Sequence, residues 1–88
     1  MIQKEFKVLQ KLGMHARPAA ALVNEAGKFK SSVLVSKDGL EINGKSLMGL
    51  MLLAAECGST LVVKVNGPDE KQAMEALTVL FQRKFDEE

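Results

Sequence analysis

The sequence predicts a two-layer α+β sandwich with helices on one face of a sheet and the other face turned largely to solvent. Three observations carry this. Four stretches read as strands, the first and third with the apolar–polar period of two of a half-buried strand. Three others carry an apolar stripe at helical spacing, between residues that start and stop helices. Asp38-Gly39 lies between two of the strand stretches and is a strong tight-turn pair, so at least part of the sheet is antiparallel. The chain has 88 residues, which makes one domain over 1–88 with a modest core and little room for a deep pocket.

In chain order, Ile2, Phe6 and Val8 alternate with Gln3, Glu5 and Lys7. They form a first strand whose apolar face Lys4 interrupts. Gln10 to Gly13 is a loop. Pro18 to Gly27 reads as a helix, with Ala16, Ala19, Ala20, Val23 and Ala26 on one face and Gly27 as its stop. Ser32 to Lys37 is a second strand and Leu40 to Ile42 a short third, closing the hairpin. Ser46 is a good N-cap for a second helix through Leu47–Ala55 that Gly58 ends. That helix is apolar on nearly every side. A domain this small cannot bury it all round, so some of Leu47, Met48 and Met51 are expected on the surface as a partner patch. Thr60 to Val65 is the last strand. Asp69 with Gln72 reads as a capping box for a third helix with a core stripe of Ala73, Met74, Leu77, Leu80 and Phe81. Asp86-Glu87-Glu88 is a solvated tail.

Composition excludes several classes. Twelve basic and eleven acidic residues leave a net charge of +1, without the basic excess of a dedicated nucleic-acid binder. The longest apolar run is too short to span a bilayer, so no membrane insertion is expected. The N-terminal stretch lacks the apolar core of a signal peptide. Cys57 is the single cysteine, so no internal disulfide forms, and it is expected to be structural or incidental. A lone histidine without a cysteine or carboxylate cluster argues against a metal site, and no cofactor is expected.

Chemistry concentrates in Leu12-Gly13-Met14-His15-Ala16-Arg17-Pro18-Ala19, which holds the only histidine. Pro suits the first turn of a helix, where its missing N–H costs nothing. His15 therefore stands at or just before a helix start, where backbone amides and the helix dipole favour an anion. An ordinary histidine titrates near pH ~6.5, so much of it is a neutral nucleophile at physiological pH. Arg17 is unfavourable to the dipole at that position, a small hint that an anion visits. The pattern points to a phosphoryl group held on His15 with help from Arg17. The bland alternative is a surface histidine that only starts a helix. Ser46 likewise reads either as a simple cap or as a phosphorylation site, since a phosphate there would add charge beside the apolar patch. Gly39-Leu40-Glu41-Ile42-Asn43-Gly44-Lys45-Ser46 matches the P-loop pattern, but its middle residues alternate like a strand and its first glycine belongs to the hairpin turn.

With these residues in place, the chain resembles the HPr family, the histidine-containing phosphocarriers of the bacterial phosphotransferase system. Leu12-Gly13-Met14-His15-Ala16-Arg17-Pro18-Ala19 is similar to the family's active-site motif. Asn43-Gly44-Lys45-Ser46-Leu47-Met48-Gly49-Leu50-Met51 is similar to its regulatory serine segment, at the family's separation. The resemblance implies an open-faced β-sandwich, βαββαβα, with a four-stranded antiparallel sheet and three helices on one face. It implies a cytoplasmic, monomeric carrier with a phosphohistidine intermediate rather than a self-contained enzyme. His15 would accept a phosphoryl group on Nδ1 from enzyme I and pass it to an enzyme IIA domain in sugar uptake, with Arg17 assisting. Leu47, Met48 and Met51 would be docking residues. Ser46 would be the target of an HPr kinase/phosphorylase. Lys11-Leu12-Gly13-Met14 and the C-terminal stretch also resemble the nitrogen-branch regulatory paralogues, so that branch stays open. Two further alternatives of other classes are a small nucleotide-binding protein using Gly39–Ser46 and a pure interaction module with an idle histidine.

Overall fold

The computed structural model describes residues 1–86. The elements run β1 (Ile2–Lys7), α1 (Ala16–Ala26), β2 (Ser32–Lys37), β3 (Leu40–Asn43), α2 (Leu47–Leu53), β4 (Thr60–Asn66) and α3 (Glu70–Gln82), followed by a short 3-10 turn at Lys84–Asp86. The sheet has four strands in the order β1-β4-β2-β3, every neighbouring pair antiparallel. This is the expected α+β architecture.

Alternation sorts the sheet into two faces. Val35 lies opposite Val63 and Ile42, and Val33 opposite Val65. These residues face the helices, and the core gathers them with Leu61, Leu22, Leu50, Leu77 and Phe81. Lys4 pairs with Val63 on the edge strand and stays exposed, as its break in the apolar pattern implied.

Three helix expectations need correction. Helix α1 begins at Ala16, so Pro18 is its third residue rather than its first. Its buried residues are Pro18, Ala19, Leu22 and Ala26, with Ala16 exposed. The alanines predicted a stripe rotated away from the real one, because the larger Leu22 takes the fully buried position. Helix α2 ends at Leu53, and Ala54 caps it in the left-handed conformation at φ 49°. Its early stop leaves Gly58 to a separate turn that hydrogen-bonds back to Val8. The Asp69–Gln72 capping box does not form. Asp69 is the N-cap of α3 but makes no side-chain capping bond. The amide N–H of Gly67 instead donates to the Glu70 carboxylate at 3.0 Å.

The chain's end also departs from a plain solvated tail. Asp86 is exposed, but Phe85 is buried against Phe81, whose ring stacks on Phe6 with centroids 4.3 Å apart. Glu87 and Glu88 lie outside the described residues.

Candidate functional site

The loop after β1 builds the site. Val8 N–H donates to Ser59 at 2.9 Å and Gly58 N–H to Val8 at 2.8 Å, carrying the β1–β4 pairing beyond the strands. Gly13 N–H then closes a turn onto the Gln10 carbonyl at 3.0 Å. Gly13 sits at φ +72°, and a Cβ there would stand 2.5 Å from the Ala55 carbonyl oxygen. Only glycine fits both the backbone conformation and the close approach. Next, Met14 N–H donates to that Ala55 carbonyl at 2.8 Å. Segment 11–15 is thereby held against segment 54–57, and an open groove runs between them. Lys11, Leu12, His15, Met51, Glu56 and Cys57 are among its lining residues.

His15 is the N-cap of α1, in extended backbone conformation, and is half-buried. Its side chain makes no capping hydrogen bond to its own helix, and the first turn holds no acidic residue. Pro18 offers no N–H, and Ala19 N–H donates to the His15 carbonyl at 3.0 Å. The Ala16 and Arg17 amides thus stand ahead of the first intrahelical bond. This end of α1 carries a partial positive charge at His15, and Arg17 is an exposed residue of its first turn.

Helix α2 forms one side of the groove through Met51. Ser46 caps it as expected, its Oγ accepting the Gly49 N–H at 3.0 Å. Gly49, Leu50 and Leu53 point inward, while Leu47, Met48 and Met51 are exposed. The helix is two-sided after all, and its outer side is apolar. Leu52 and Leu12 extend that apolar surface at 67% and 77% exposure. Neither residue was singled out by sequence reasoning. Leu52 was hidden in a uniformly apolar run, and Leu12 in a loop without periodicity.

The P-loop pattern is not a phosphate cradle. Leu40–Asn43 is strand β3, hydrogen-bonded to β2. The Lys45 ammonium donates to the Phe29 carbonyl at 2.7 Å, and Ser46 is engaged in capping. The backbone that would wrap a phosphate is committed to the sheet, so the nucleotide-binding alternative falls.

Cys57 turns out to be an exposed groove residue whose thiol lies 3.7 Å from the Leu9 carbonyl. Gln10 is buried, and its Nε2 has no hydrogen-bond partner among the described residues; nothing in the structure explains this. No group of three or more His, Cys, Asp or Glu that could hold a metal ion occurs among the described residues. No helix among them is long and apolar enough to cross a membrane.

A small domain that presents one half-buried histidine at a helix start, beside a helix whose outer side is apolar, has the open surface of a carrier or docking protein. It is shaped to be touched by other proteins rather than to enclose a substrate. The comparisons agree. The family model described as the PTS HPr component phosphorylation site matches residues 2–83. The phosphocarrier protein HPr of Treponema pallidum (strain Nichols) is 48% identical over 88 residues, covering all of both chains. The crystal structure of HPr-C-His from Thermoanaerobacter tengcongensis superposes with a TM-score of 0.96 at 41% identity, covering 100% of this chain and 99% of that one. The chain belongs to the HPr family of phosphocarriers of the phosphotransferase system. A further solved relative, 40% identical with a TM-score of 0.78 and covering 97% of this chain and 98% of that one, is described as an HPr dimer from T. tengcongensis. Dimers therefore occur among relatives, and the expected monomer is not confirmed by the family.

Proposed function

We propose that His15 is the phosphoryl acceptor and donor of this chain, taking the group from phospho-enzyme I and passing it to an enzyme IIA domain in sugar uptake. In the first step the lone pair on His15 Nδ1 attacks phosphorus. The bond from phosphorus to the enzyme I histidine breaks, and its electron pair returns to that ring. The second step repeats the exchange toward enzyme IIA. The observation that carries this reading is the position of His15. It starts α1 without capping it, at a groove bordered by the exposed residues of α2. The helix end and Arg17 oppose the charge of the transferred group. Openness lets two successive partners reach the same atom.

Leu47, Met48 and Met51 serve as the docking surface for both partners. Ser46 is the regulatory site for an HPr kinase/phosphorylase. Phosphorylation there keeps the helix capped while placing nearly two negative charges at the edge of the apolar patch. The Ser46 segment favours the sugar branch over the nitrogen branch. The carrier works as a monomer in the cytoplasm, which sedimentation at working concentration and cell fractionation test.

The decisive experiment is incubation with phosphoenolpyruvate and enzyme I. An acid-labile, base-stable phosphate should form on the wild type and be absent from His15→Ala, with the variant still folded by circular dichroism. Label that persists in His15→Ala overturns the assignment.

A further inference from the structure

The groove at His15 has one cation and one anion among its lining residues, Lys11 and Glu56. They stand on segments held together by the bond from Met14 N–H to the Ala55 carbonyl, 2.8 Å long. Both therefore line the same groove as His15, which is four positions after Lys11 in the first segment. Both are exposed. Other charged residues near the sheet and helix ends have partners, such as Lys64 with Glu41 at 3.3 Å and Lys28 with Glu25 at 3.1 Å. Among the described residues neither the Lys11 ammonium nor the Glu56 carboxylate has an ion pair or hydrogen bond. Glu56 engages Ser59 through its backbone only.

Two unpaired charges of opposite sign beside an atom that gains and loses a doubly charged group will respond to that group. We propose that Lys11 and Glu56 set the transfer potential of the phosphohistidine from opposite sides. Lys11 favours the phosphorylated state by Coulomb attraction. Glu56 disfavours it by repulsion and so keeps the group transferable. This rests on the reading of His15 as phosphoryl carrier and adds two specificity-setting residues to it. Both act on top of Arg17 and the helix end, which favour the group throughout: Lys11 adds to that attraction and Glu56 offsets part of it.

The test is the equilibrium constant for phospho-enzyme I plus carrier going to enzyme I plus phospho-carrier. It is a thermodynamic quantity, so docking strength alone does not move it. Lys11→Met should lower it about two- to fourfold and Glu56→Gln should raise it by a similar factor, as expected for exposed, solvent-screened charges acting on a dianion in the same groove. Lys11→Glu should roughly square the Lys11→Met effect. Most of each difference should vanish in ~1 M salt, where the Debye length falls to about 3 Å. Unchanged constants in both neutral variants, shifts of the same sign, or shifts that survive high salt overturn the proposal. So does a change confined to the kcat/KM of loading, which would make these residues readers of the partner surface. A wild-type chain that takes no label overturns the carrier reading and this inference with it. A labelled wild type with unmoved constants overturns this inference alone.

Discussion

Neither Asp69 nor His15 caps its own helix with its side chain, but at the start of α3 the acidic side chains tie the helix to neighbouring segments, whereas at the start of α1 the cap residue lines an open groove. The Asp69 carboxylate accepts hydrogen bonds from the Lys30 and Ser31 amides, each at 2.9 Å, and from the Ser31 hydroxyl at 2.5 Å. Glu70 accepts the Gly67 amide and pairs with the N-terminal ammonium at 3.2 Å. The Gly67 backbone passes so close to Ser31 that an added Cβ would stand 2.5 Å from Ser31 Cα. At α1 the capping residue is a histidine that does not cap, with no acid in the first turn. Donors satisfied from within the chain lock two segments together and serve stability. A helix start whose cap residue lines an open groove leaves that residue within reach of other molecules. The same helix physics gives a clamp in one place and a half-buried histidine at a groove in the other.

Substitutions at the two ends should therefore separate transfer from stability. The largest effect is expected on the open side, on the exposed face of α2 that borders the groove. Met48 is 75% exposed and its side chain supports little of the core. Met48→Asp should lower kcat/KM for phosphoryl transfer by about tenfold or more, because a charge then enters an apolar contact. The thermal midpoint should stay close to that of the wild type. Steady-state transfer from enzyme I, read beside a melting curve, checks both. A large fall in the midpoint would mean that α2 is held by its outer side.

The closed end should respond in the opposite sense. Hydrogen bonds, led by that from the Ser31 hydroxyl, hold the Asp69 carboxyl at about 2, below its ordinary 3.8. Glu70 is lowered as well, first by the Gly67 amide. A folded value below the unfolded one means that the ionised carboxylate stabilises the fold above about pH 4 and that this contribution drains away as pH falls toward 2. Asp69→Asn should melt at lower temperature at neutral pH and lose less on acidification through that window. Transfer at 25 °C should be unchanged. Melting curves from pH 7 to 2 test this; parallel acid limbs for the two proteins would contradict it.

How legible these ends were in the sequence follows from the range of the interactions. Strand β3 and the Asp38-Gly39 turn were readable because alternation and turn chemistry are local. Ser46 was readable for the same reason, since its partner is only three residues away. Asp69 was recognised as a helix start but assigned the wrong partner, because Ser31 lies 38 positions distant. His15 and Arg17 were legible as residue types at a helix start. The groove was not, because Glu56 and Cys57 reach it through a backbone bond between segments far apart in the chain. The inward side of α2 was hidden by composition. Where every residue is apolar, only the position of the sheet decides which ones are buried.

Ser46 joins the two kinds of helix start, and its variants give the smallest and most selective effect. Its hydroxyl is a structural cap, and it stands immediately before the exposed Leu47 and Met48. Ser46→Ala removes the acceptor for the Gly49 amide and should cost about 1 kcal/mol of stability, with transfer unchanged because the outer side of α2 keeps its charge and shape. Ser46→Asp retains an acceptor of high N-cap preference and should restore most of that stability. It should nonetheless lower the transfer rate several-fold, since it brings a negative charge to the rim of the docking surface. Denaturant unfolding and enzyme I loading measured on both variants separate the two roles. If Ser46→Asp loads as fast as Ser46→Ala, charge at this position does not reach the docking surface, and a regulatory role for Ser46 would then have to act through the fold of α2.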